Sequence, residues 1–129
     1  RLSDPLAQVP SLVPTVDRYL RLPHHVSFCI VSPSCRSYPQ RNTAEITGKT
    51  LVRQLNLAGI GISSGAACSS GKLTPSPILL AMGYSETEAV GGIRLTLGRE
   101  TTEADIDWTA SAIEQILDRL MPKVALSRC

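Results

Sequence analysis

Apolar positions recur along the chain with two periods, and the switches between them mark its elements. Ile106, Ile113, Ile116, Leu117 and Leu120 form one stripe at helical spacing. Thr102-x-x-Asp105 ahead of them resembles a capping box, so a long helix is predicted from about Thr102 to Met121. Just upstream, Ile93, Leu95 and Leu97 alternate with Arg94 and Thr96, the period-2 pattern of a strand buried on one face, with Arg94 projecting from the face opposite the leucines. From Gly48 to Leu57 the residues Leu51, Val52 and Leu55 give an amphipathic helix that ends before Gly59. His25 to Val31 mixes β-branched and aromatic residues over a short run and predicts another strand, and Ile60 to Ile62 predicts a short buried one.

Between these elements the breakers set the connections. Thr74 followed by Pro75 predicts an N-cap with proline in the first turn, and Gly83 a C-terminal stop, for a two-turn helix carrying Ile78, Leu79, Leu80 and Met82. Ser85-x-x-Glu88 is a capping box that starts a second short helix. The first 23 residues hold Pro5, Pro10, Pro14 and Pro23, so only short helical pieces fit there, with some helical periodicity in Val13, Val16, Tyr19 and Leu20. Residues 32–47 are polar, contain Pro33 and Pro39, and read as an exposed loop or insertion. Residues 63–72 are almost all Ser, Gly, Ala and Cys, too small to build a core of their own, and are expected to form a loop. The succession of elements predicts an α+β fold, helices packed on a small mixed sheet, in a single domain spanning 1–129.

Composition narrows the function classes. With 43% hydrophobic and 19% charged residues, the 129-residue chain is compatible with one folded core. Its 13 Lys+Arg and 11 Asp+Glu are scattered, and the five aromatics are few for stacking on bases, so nucleic-acid binding is not indicated. No apolar run approaches the ~18 residues of a membrane span, which leaves a cytoplasmic setting as the expectation. Cys29, Cys35, Cys68 and Cys129 lack metal-ligand spacing, and only His24 and His25 could supply imidazoles, so no metal site is expected. Cys29 lies in an apolar strand and reads as core, and Cys129 as inert.

The most specific stretch runs from Ser63-Ser64-Gly65-Ala66-Ala67-Cys68-Ser69-Ser70-Gly71-Lys72 through Thr74-Pro75-Ser76 to Leu80-Ala81-Met82-Gly83. It is followed by Ile93-Arg94-Leu95-Thr96-Leu97-Gly98-Arg99-Glu100-Thr101-Thr102. In order and spacing these resemble the cysteine desulfurases, the NifS/IscS-like branch of the class V aminotransferases. The resemblance implies the C-terminal small domain of a fold-type I pyridoxal phosphate transferase. The complete enzyme would convert L-cysteine to L-alanine and keep the sulfur as a persulfide on the mobile-loop cysteine, here Cys68, for iron–sulfur cluster or thio-cofactor assembly. A loop of small residues suits a thiol that must travel, with Gly65 and Gly71 as hinges and Lys72 lending a local positive field. Arg94 matches the arginine that grips the substrate carboxylate, work suited to a bidentate guanidinium. Arg99 is expected to be structural, near the acidic start of the last helix.

Two departures accompany the match. His24 and His25 stand where relatives carry asparagines, and as paired histidines beside a strand they read as polar caps. The cofactor-bearing lysine of the family has no counterpart, because Lys49, Lys72 and Lys123 stand in other contexts. The 129 residues alone are therefore expected to bind no pyridoxal phosphate and to be inactive. Implied partners of the complete enzyme are a second subunit in a homodimer and an iron–sulfur scaffold or sulfur-relay protein. The alternative is a free-standing, cofactor-free domain that accepts persulfide or mediates protein contacts.

Overall fold

The computed structural model describes residues 2–31, 46–65 and 74–121. In chain order the elements are α1 (Ser3–Ala7), β1 (Leu12–Pro14), β2 (His25–Ile30), α2 (Gly48–Leu57), β3 (Ser63–Ser64), α3 (Pro77–Ala81), α4 (Glu86–Val90), β4 (Gly92–Thr96) and α5 (Glu103–Leu120). The strands form one sheet in the order β1-β2-β4-β3, and all three ladders are antiparallel. The expected α+β class holds, but the sheet is antiparallel rather than mixed. Nothing in it requires a parallel crossover, because β2 and β4 meet in opposite directions across the long connection between them.

Alternation along β2 and β4 divides the sheet into two faces. Val26, Phe28, Ile30, Ile93 and Leu95 point to one, where Leu51 and Leu55 of α2, Ile113 and Leu117 of α5, and Leu6 of α1 close the main core. A fully buried side chain of this size stabilises the fold by roughly 1.5–3 kcal/mol, so this face dominates cohesion. On the opposite face a smaller cluster of Cys29, Leu79 and Ala89, with Tyr84 packed against it, covers one end of the sheet.

Capping fixes the helix starts. Thr102 accepts from the Asp105 amide while the Asp105 carboxylate accepts from the Thr102 amide, and Ser85 and Glu88 do the same for α4. α2 begins at Thr47, whose Oγ1 accepts from the Thr50 amide. Three expectations shift. The helix placed after Thr74 and Pro75 instead starts at Pro77 with Ser76 as N-cap; a residue before proline is driven to extended backbone, so Ser76 cannot sit inside a helix begun at Pro75. Gly83, at φ 91°, ends this helix as anticipated.

The strand placed at Ile60 to Ile62 forms instead at Ser63–Ser64, while Ile60 and Ile62 pack half-buried against the core without ladder bonds. Finally, Leu12–Pro14 pairs with β2 where helical periodicity was read. Pro10 and Pro14 deny a helix its interior amides, and β1 lies at the sheet edge, where proline is tolerated. Of the expected loop 32–47, residues 32–45 lie outside the described residues, as do 66–73 of the small-residue loop 63–72.

Candidate functional site

Arg94 lies on the sheet face that turns away from the main core. There β2 presents His25, Ser27 and Cys29, and β4 presents Gly92, Arg94 and Thr96. Register fixes their neighbours: Arg94 lies opposite Ser27 on one side and opposite Ser63 of β3 on the other. The end bearing Cys29 and Gly92 is roofed by α3 and α4. The roof fits closely there because a Cβ on Gly92 would stand 2.6 Å from Leu79 Cδ1. The other end is open, with Arg94 exposed and His25, Ser27 and Ser63 half-buried.

This open end is cationic. Arg21 donates from Nη1 to the His25 carbonyl, which ties the segment before β2 to the strand. Partial burial lowers the His25 pKa from its ordinary value of 6.5, and the charges of Arg94, His24 and Arg21 lower it further. The group is therefore mostly neutral at pH 7. Among the described residues no carboxylate is ion-paired with Arg94; the Arg18–Asp4 contact lies elsewhere. A guanidinium flanked by two serines on an open sheet face is suited to hold a carboxylate through paired N–H donors.

Cys68 and Gly71 lie outside the described residues, but the posts of their loop do not. The Gly65 amide donates to the Gly92 carbonyl at 2.8 Å, and the Ser76 amide to the Ala89 carbonyl at 3.5 Å. A Cβ on Gly65 would come within 3.3 Å of Ser76 Cβ, so the chain leaves and re-enters at one point. That point is two residues from Ser63, the cross-strand partner of Arg94. Gly65 thus meets a steric demand in addition to the conformational freedom read from the sequence.

Cys29, by contrast, is fully buried, with its pKa pushed up to about 11 by burial and then by Glu88, so it stays a protonated core thiol as expected. Lys49 lies in the first turn of α2, the helix whose Leu51 and Leu55 join the main core. Arg99 lies exposed at a surface hollow shared with Asp105 and Trp108, away from Arg94. Among the described residues no group of three His, Cys, Asp or Glu side chains could hold a metal ion, and no helix is long and apolar enough to cross a membrane. What sequence reasoning missed is the place of His25 beside Arg94. His25 reads from the sequence as a polar cap beside a strand, and only the β2–β4 register brings it to the arginine.

Comparisons with known proteins agree on the kinship. No family model matches the chain. It is 45% identical over 75 residues to a cysteine desulfurase of Klebsiella pneumoniae, covering 58% of this chain and 19% of that protein. It is 34% identical over 100 residues to the cysteine desulfurase IscS of Dictyoglomus turgidum, covering 78% and 22%. A NifS-like protein from Rickettsia africae superposes with a TM-score of 0.67 at 24% identity, over 91% of this chain and 26% of that one, a likeness of fold. The chain spans about a fifth of the length of the curated relatives it matches. It is a relative of the cysteine desulfurases, similar to one segment of those proteins.

Proposed function

We propose that these residues serve as the C-terminal small domain of a pyridoxal phosphate-dependent cysteine desulfurase, in which Cys68 takes sulfur from L-cysteine as a persulfide and L-alanine leaves. The observation that carries this reading is the pinching together of Gly65 and Ser76 beside the strand of Arg94. It anchors the cysteine-bearing loop next to an arginine free to grip a carboxylate. Cys68 follows Gly65 by three residues, a reach of roughly 10 Å from the anchored post. A thiol within that radius can meet a substrate held by Arg94. The balance closes without an added redox partner: the substrate carbon–sulfur bond breaks, a sulfur–sulfur bond forms on Cys68, and a proton completes alanine.

Pyridoxal phosphate, when bound, supplies the electron sink that labilises the substrate's bonds. Its lysine is assigned to the cofactor-binding part of the complete protein, since Lys49, Lys72 and Lys123 stand in other sequence contexts. Gly65 and Gly71 act as the hinges of the loop. Homodimerisation, a cytoplasmic setting and delivery to an iron–sulfur scaffold or sulfur-relay protein belong to the same reading.

The test is transfer of radiolabelled sulfur from L-cysteine to the complete protein, followed by peptide mapping. Wild type should carry reductant-labile label on the Cys68 peptide. Cys68→Ala should lose it while the cofactor absorbance is retained. Equal labelling of the variant would refute the role of Cys68.

A further inference from the structure

We infer that His25 is a second anchor for the substrate carboxylate held by Arg94, and that its imidazole makes binding on this sheet face pH-dependent. The inference rests on the reading of Arg94 as a carboxylate grip and adds a second residue to it. Its basis is the ladder geometry. Ser27 pairs with Arg94 and His25 with Thr96, so His25 and Arg94 are diagonal neighbours on one face. Their Cβ atoms are on the order of 7 Å apart, within reach of long side chains. A carboxylate in front of Ser27 could accept from the guanidinium with one oxygen and from the imidazole with the other. The cluster under α3 and α4 covers the end of this face that carries Cys29, while Arg94 at the other end is exposed.

The electrostatics give the arrangement a direction. Besides partial burial, the groups acting on His25 are Arg94 from β4 and His24 and Arg21 from the segment before β2, and no carboxylate is among them. Glu88 acts on Cys29 and Tyr84 at the roofed end and is not among the influences on His25. Without a bound anion, partial burial and then the neighbouring guanidiniums oppose a charge on His25 and lower its pKa. A carboxylate arriving between Arg94 and His25 cancels that opposition, and the imidazole takes a proton from solvent. By linkage, whatever makes the bound anion favour protonated His25 makes protonated His25 favour the anion. Affinity should therefore rise as pH falls through the range in which the imidazole titrates. At high pH, Arg94 and a neutral imidazole donor remain, so binding weakens without disappearing.

The experiment is an NMR titration of the 129-residue chain with L-alanine, using ethylamine as the control that lacks a carboxylate. The imidazole C–H signals of His24 and His25 and the Nε–H signal of Arg94 are followed. We expect Arg94 and His25 to move along one saturation curve with alanine and to ignore ethylamine. The His25 titration midpoint should rise when alanine is present, and alanine should bind about tenfold more tightly near pH 5 than near pH 8, corresponding to about one unit of pKa coupling. His25→Asn should flatten that pH dependence while the Arg94 response persists. If Arg94 responds but the His25 midpoint stays fixed, His25 is not an anchor and the Arg94 reading survives. If neither residue responds, both assignments on this face fall.

Discussion

Replacing Gly48 by alanine probes how the candidate site is built into the fold. Gly48 opens α2 and is buried against β4, where an added Cβ would run into the Gly92 carbonyl oxygen and lie 3.2 Å from its carbon. These are backbone atoms, so no side-chain rotation relieves the contact, and overpacking of this kind costs about 1–3 kcal/mol. Against it stands the gain of alanine over glycine in helix propensity and unfolded-chain entropy, at most about 1 kcal/mol. The net expectation is a loss of about 1–2 kcal/mol, which at a urea dependence near 1.5 kcal/mol per molar lowers the unfolding midpoint by about 1 M. Gly61→Ala is the control. No atom lies within 4 Å of its added Cβ, and its φ is outside the left-handed region, so stability should hold or rise slightly. Because the same Gly92 carbonyl accepts the Gly65 amide, Gly48→Ala should also speed hydrogen exchange at Gly65, the post of the cysteine-bearing loop. Urea unfolding followed by circular dichroism and amide exchange followed by NMR read both effects. A Gly48→Ala chain as stable as the Gly61→Ala chain would refute the close approach of α2 to β4.

Two further outcomes test the roofed end of the outer face. The Glu88 carboxyl is held below its ordinary 4.5 by hydrogen bonds from the Ser85 backbone and side chain; its contribution to stability is present above pH 4.5 and is lost as pH falls through the depressed folded value. Acid unfolding curves of Glu88→Gln should show a shallower decline over that window, and an unchanged slope would contradict the capping geometry. Cys29, buried beneath Leu79 with its pKa near 11, should resist alkylation at pH 7.5 in the folded chain and react after denaturation in urea, as read by peptide mass mapping. Labelling of native Cys29 at the rate of an exposed thiol would mean that α3 and α4 do not cover it.

Signals confined to a few residues could be read directly from the sequence. The Ser85–Glu88 and Thr102–Asp105 boxes satisfy helix-end amides with their own side chains, whatever the rest of the chain does, and α2 runs from Gly48 to Leu57 as its apolar spacing indicated. The outward direction of Arg94 followed from alternation alone, since Ile93 and Leu95 had to face the core. Register was not legible in the same way. Whether His25 or Ser27 lies opposite Arg94 depends on how β2 slides against β4, strands separated by more than sixty residues. Edge strand β1 was missed for a related reason: three residues carry too little period to separate strand from helix, and only pairing with Ile30, Cys29 and Phe28 defines it.

The division of the sheet into a cohesive face and a chemical face has a consequence for how variants behave. Nearly all the large buried side chains lie on the α2 and α5 side, whereas Arg94, Ser27, Ser63 and His25 stand on the open end of the other, each exposed or half-buried. Exposed polar substitutions away from buried networks usually alter stability by no more than about 0.5 kcal/mol. Changes at these four positions should therefore act on ligand binding with little effect on folding. The glycines behind them are different, because Gly92 admits Leu79 on the outer face while its carbonyl contacts Gly48 and binds Gly65. One backbone carbonyl thus joins the first turn of α2 to the post of the loop, so a disturbance there would reach the fold and the site together. The side chains on the open end can be changed singly, but the small residues that hold their strand in place cannot.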